Sequence, residues 1–139
     1  MESLTDQLLP IAREVLRNEK VRETRSGEQG IWYKSSILEV YERDIAALPI
    51  TIDQAGLRTA IAIYSSTPEK SEGNRKLILQ LLLDILNEAK LVNQKDCDSF
   101  IDTILDDKDG SITLQYEEFI IQAAIALKRA IRTFPVTKN

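Results

Sequence analysis

Apolar residues recur along almost the whole of this chain at the spacing of an α-helix, and one segment goes further. From Asn74 to Leu91, the residues Leu77, Ile78, Leu79, Leu81, Leu82, Leu83, Ile85, Leu86 and Ala89 cover well over half of a helical wheel. A helix apolar around so much of its circumference must be enclosed, either at the centre of a bundle or against a partner subunit. The central position is the simpler expectation. Glycine (5) and proline (4) are scarce, which argues against a many-stranded sheet with tight turns. Over 139 residues, 43% apolar and 29% charged, the expected product is an all-α, compact single-domain bundle of about five or six helices.

Breakers and caps divide the chain. A first helix is expected over about Thr5–Glu19, followed by a charged, glycine-bearing flexible loop over 19–30 that has no apolar period. In a second helix, about Tyr33–Ala47, the residues Tyr33, Ile37, Val40, Tyr41 and Leu48 share a face with Asp44, a carboxylate that needs a partner if buried. Leu48-Pro49 should end it. Thr51 and Gln54 then read as a capping box for a third helix reaching Tyr64. Residues 65–74, with Pro68 and Gly73, read as a second flexible loop, and Asn74 as the cap of the fourth helix. A short helix over Asp96–Leu105 leads to an acidic turn and a closing helix over about Thr113–Phe134, stopped by Pro135.

What is missing narrows the chemistry. There is no histidine, so Ser–His–acid and Cys–His catalysis and His-ligated metal sites are excluded. The single Cys97 stands among Lys95, Asp96 and Asp98, and the neighbouring acids oppose thiolate formation. Lys and Arg total 18 against 22 acids, a net charge of −4, which excludes a globally basic nucleic-acid binder but not a local basic face. The N-terminal MESLTDQLLP does not read as a signal peptide. The apolar run Leu77–Leu86 is interrupted by Gln80 and Asp84 and is too short to span a bilayer. A cytoplasmic protein without membrane contact, cofactor or catalytic residues is expected.

The acidic segment 106–118 resembles a calcium loop in part. Such a loop needs oxygen ligands at its first, third and fifth positions, glycine at the sixth and a bidentate glutamate at the twelfth. Setting Gly110 in the glycine position puts Leu105 first and Tyr116 last. Setting Glu118 last puts Ile112 where glycine belongs. Neither frame is complete, and an interhelical turn shaped by Asp and Gly accounts for the same residues. A helical calcium-binding or adaptor domain is the alternative function.

Basic residues are more informative at the end of the chain. After Glu118 there is no acid, while Lys128, Arg129, Arg132 and Lys138 follow. On the closing helix, Tyr116, Phe119, Ile120, Ala123, Ala124, Leu127, Ala130, Ile131 and Phe134 form a core arc. The opposite arc carries Lys128, Arg129 and Arg132 together with Ile121 and Ile125. Cations beside large apolar residues suit a partner surface, either protein with some phosphate or phosphate alone. A solvated helix end, its cations complementing the helix dipole, fits equally. Arg22, Arg25, Lys34 and Arg58 are candidates to extend the surface.

Three stretches together resemble a known family. They are Tyr33-Lys34-Ser35; the run from Ala47-Leu48-Pro49-Ile50 through Gly56-Leu57 and Ala60 to Tyr64; and Tyr116 followed by Ala126-Leu127-Lys128-Arg129-Ala130. In order and spacing, over most of residues 33–134, they resemble the small helical subunit of type III-B, Cmr-type CRISPR effector complexes. The family's tryptophan before the Lys-Arg pair is replaced by Ala126 or Leu127. The resemblance implies a non-catalytic architectural subunit of antiviral defence that stacks with copies of itself along a ribonucleoprotein filament. Its partners would be the other effector subunits, the guide RNA and the target RNA.

Overall fold

The computed structural model describes residues 2–66 and 73–138. The proline breaker Pro68 and the middle of the loop expected over 65–74 lie outside the described residues. Among these residues there are six helices and one small sheet, so the fold is predominantly all-α. The helices are α1 Leu4–Ser26, α2 Glu39–Ala55, α3 Leu57–Ser65, α4 Arg75–Glu88, α5 Cys97–Leu105 and α6 Ser111–Ile131. The strands are β1 Trp32–Tyr33, β2 Ser36–Leu38 and β3 Val136–Thr137.

α4 is the centre of the bundle. Ile78, Leu79, Leu81, Leu82, Leu83, Ile85 and Leu86 are all buried, and α4 touches each of the other five helices. This settles the choice posed by its apolar circumference: the bundle itself encloses it. Asn74 caps it, its side-chain oxygen accepting the Lys76 N–H. The helix stops at Glu88, short of the expected Leu91, because Lys90 turns left-handed (φ 61°) and the Leu91 N–H bonds back to the Leu86 carbonyl. α1 and α6 form the most extensive helix pair, with α2 packed on α6 as well.

The expected loop over 19–30 is mostly helix. α1 continues to Ser26 and ends at Gly27. Glu19 and Glu23 sit where apolar residues would ordinarily be and are buried, which is why the segment shows no apolar period. The Glu23 carboxylate accepts backbone N–H bonds from Gly30 (2.8 Å), Ile31 (3.1 Å) and Trp32 (3.1 Å). Gly30 must be small: a Cβ there would lie 2.7 Å from the carboxyl group.

The expected second helix is also corrected at both ends. Tyr33 and Ile37 belong to a hairpin, with Trp32 paired to Ile37 and Tyr33 to Ser36. Beyond β2 the far end of the chain adds β3 in parallel, Ile37 facing Val136. A strand pair completed from a hundred residues away leaves no local periodic signal. At the other end, Pro49 does not stop α2. Ile45, Leu48 and Ile52 form one buried stripe through it, and that burial outweighs the bond the proline cannot donate. The Thr51 hydroxyl donates to the Ala47 carbonyl inside the helix instead of capping α3. Gly56, at φ 89°, makes the break. Asp44 is buried between two arginines: Arg43 Nε of its own helix lies 3.7 Å from Oδ1, and Arg75 Nε at the start of α4 lies 3.8 Å from Oδ2.

Replacing Glu23 tests its anchoring role. Glu23→Ala orphans three buried N–H groups and should cost about 2–3 kcal/mol in urea unfolding. Burial raises the Glu23 carboxyl above its ordinary value of 4.5, with Glu19 adding to the rise and the three backbone donors opposing it. A carboxyl that holds its proton more tightly when folded contributes stability at low pH and loses it as pH climbs through the raised value. The stability of the parent relative to Glu23→Gln should therefore fall from pH 4.5 upward, read as urea midpoints across the pH range.

Candidate nucleic-acid interface

The C-terminal end of α6 is built by its neighbours. With α1, α2 and α4 all against it, its solvent-facing arc is narrow. Ile121 is half-buried and packed against the core, and Ile125 is half-buried as well, so neither stands out as an exposed apolar residue. Lys128 is half-buried and has no ion pair among the described residues. Arg129 and Arg132 are exposed. Arg129 Nη1 lies 3.9 Å from Asp6 Oδ1 on α1, and Arg132 Nε lies 3.4 Å from Glu42 Oε1 on α2.

The other candidate cations are scattered. Arg22 is held on Glu19, with Nη2 2.6 Å and Nε 3.0 Å from Oε1. Arg25 is exposed in the last turn of α1. Lys34 sits at the hairpin tip at φ 57°, its Nζ 5.4 Å from the centroid of the exposed Tyr33 ring. Arg58 lies at the opposite end of α6, with Nη2 4.0 Å from Asp107 Oδ2 and close to Gly110. Gly110 and Arg132 bracket α6, which puts about 30 Å between the Arg58 and Arg132 ends. Arg58 therefore cannot extend the patch at Lys128 and Arg132.

One group of cations escaped the sequence reading. Arg13, Arg17 and Lys20 lie on one face of α1. Arg13 and Arg17 stand over the Phe134 ring, 5.3 Å and 5.9 Å from its centroid, and Lys20 stands 5.0 Å from that of Trp32. The two rings meet edge to face at 5.5 Å. The spacing of the cations was visible in the sequence; the rings beneath them, from the hairpin and the C-terminal tail, were not.

The acidic turn spends its carboxylates locally. Asp107 is buried and its Oδ2 accepts the Thr113 N–H at 2.7 Å. Asp109 Oδ1 accepts both the backbone N–H and the hydroxyl of Ser111. Both aspartates thus cap the start of α6. Asp102, Asp106 and Asp109 face an open cleft and do not converge on a common point with Asp107. Cys97 is buried; burial pushes its thiol up, Lys76 opposes this and Asp98 adds to it. That is the setting of an inert thiol.

The family model described as CRISPR-associated protein (Cas_Cmr5) matches residues 18–134. No curated protein and no solved structure matches the chain.

Calcium should find no tight site at the turn, because binding would have to strip two aspartates from the helix they cap. Isothermal calorimetry with calcium chloride is expected to show no micromolar binding, and the near-ultraviolet dichroism should not change on addition of the ion.

Proposed function

The chain belongs to the Cmr5-type small subunits of type III-B CRISPR complexes, and from that premise we propose that it is a non-catalytic architectural subunit which helps hold the duplex of guide and target RNA. In this reading the subunit stacks with copies of itself beside the backbone subunits, in the cytoplasm and in antiviral defence, and cleavage belongs to other subunits. The observation that carries it is the basic end of α6. Lys128, Arg129 and Arg132 gather where the chain has no following acid, on a helix whose other side fills the core. Such cations would meet phosphates without reading bases, so the contact would be independent of sequence and would weaken with salt. Arg25 and Lys34 are secondary candidates for contact with RNA or a neighbouring subunit. Arg22 is already committed to Glu19, and Arg58 to the acidic turn.

The dispersed charge gives the reading a further consequence. At a net charge of −4, with Arg129 and Arg132 each near an acid of the same chain, the isolated subunit should bind RNA weakly. Affinity should appear when neighbouring subunits complete the groove. Among the described residues no helix is long and apolar enough to cross a membrane.

The test is a Lys128→Glu/Arg132→Glu double variant. Neither side chain fills the core, so the helical dichroism and melting temperature should stay close to the parent's. Incorporation into the reconstituted complex, or retention of target RNA by it, should drop about tenfold and more steeply at higher salt. Parental assembly and RNA retention would reduce the end of α6 to a solvated helix terminus.

A further inference from the structure

The candidate cations differ in what lies beside them. Arg22, Arg58, Arg129 and Arg132 each have a carboxylate of the same chain within 4.0 Å. Arg13 and Lys20 rest on aromatic rings, and Arg17 lies both over a ring and beside an acid. A carboxylate beside a cation offsets part of its field. A ring orients one by its quadrupole but leaves the net charge in place. Arg13 is further fixed by its Nε, which donates to the Thr133 hydroxyl at 3.1 Å, so its terminal nitrogens keep their donors. Arg17 shares part of its charge with Glu14, whose Oε2 is 3.4 Å from Nη1.

Their spacing is regular. Residues 13, 17 and 20 follow one another at one turn each, about 6 Å and 4.5 Å along the axis of α1. A row of charges at that repeat matches a polymer that carries its own charges at regular intervals. A guanidinium lying on a ring also presents its edge to solvent, the geometry that grips a phosphate through two parallel N–H bonds.

We infer that Arg13, Arg17 and Lys20 of α1, held on Phe134 and Trp32, form a binding stripe for the phosphate backbone of RNA. The inference rests on the proposed RNA-holding role and assigns it to a surface different from the end of α6. The stripe depends on the tertiary fold. β3 pairs with β2 and thereby brings Phe134 beside Trp32 under α1. The Trp32 ring is itself pinned, its indole N–H donating to the Leu16 carbonyl at 3.0 Å. Three side chains that would be mobile on an isolated helix are thus ordered before any ligand arrives, which lowers the entropy lost on binding.

The experiment is a titration of the isotope-labelled full-length chain with a short blunt-ended RNA duplex of mixed sequence, followed by the side-chain N–H signals of arginine and lysine. Nuclear magnetic resonance detects the weak binding expected of the isolated subunit. The Arg13, Arg17 and Lys20 signals should move and saturate. An Arg13→Gln/Arg17→Gln/Lys20→Gln variant, with a parental melting temperature, should bind about tenfold or more weakly. Its dependence of log affinity on log salt should be shallower by about one unit for each cation removed. If that variant does not fold, the signal map of the parent still decides. Movement confined to Lys128 and Arg132 overturns the stripe and leaves the proposed function standing. Binding by the variant within twofold of the parent overturns it also. Polyglutamate moving the same three signals at equal or lower concentration would assign the stripe to an acidic protein surface instead. The Lys128→Glu/Arg132→Glu complex is scored separately, so a failure at either surface is told apart from a failure at the other.

Discussion

Much of this fold turns on one buried carboxylate. Glu23 gathers the N–H groups of three successive residues at the point where α1 has ended and the chain must reverse. Unpaired buried donors are costly, so the segment 30–32 is pinned against the helix it has just left. That pinning brings Trp32 onto α1, where its indole bonds to Leu16, and sets the hairpin whose second strand receives the C-terminal tail. The small sheet places Trp32, Ile37 and Leu38 in the core. It also ties the N-terminal helix, the hairpin and the end of the chain into one corner, while α4 holds the rest of the bundle from inside.

The same corner shows how an acidic chain can offer a basic surface. Net charge describes the far field, whereas binding reads the local one. Here Arg22 and Arg58 lie beside acids, whereas Arg13 and Lys20 are held on rings that leave their charge in place. Membership of a family of effector-complex subunits gives such a surface a context. The acidic turn illustrates the opposite case: a conspicuous cluster whose carboxylates are already used to begin a helix.

Helix identity was legible wherever burial is apolar and periodic. α4, α5 and most of α6 follow from spacing and caps alone, because their hydrophobic stripes and their helical propensity agree. The end of α1 was not legible, since its buried positions are Glu19 and Glu23, and a glutamate in sequence reads as solvent-facing. Pro49 misled for a related reason. The local preference to break was overruled by the buried Ile45, Leu48 and Ile52, and the break fell at Gly56. Of the candidate cations, those of α6 stand out in the sequence by charge asymmetry, whereas Arg13, Arg17 and Lys20 do not. Nothing in their own segment shows the rings of Trp32 and Phe134 beneath them.

By itself, then, the amino-acid order determined an all-α bundle around one wholly apolar helix, the chemistry a chain without histidine cannot perform, and the family to which the residues point. These depend on composition and on interactions within a few turns, which repeat at a period that can be read directly. Tertiary structure alone decided which cations lie beside an acid and which lie on a ring, and that a strand from residue 136 would complete a hairpin at residue 37. Those outcomes depend on pairs of groups far apart in the chain, and their energies exist only once the core has brought them within a few ångströms.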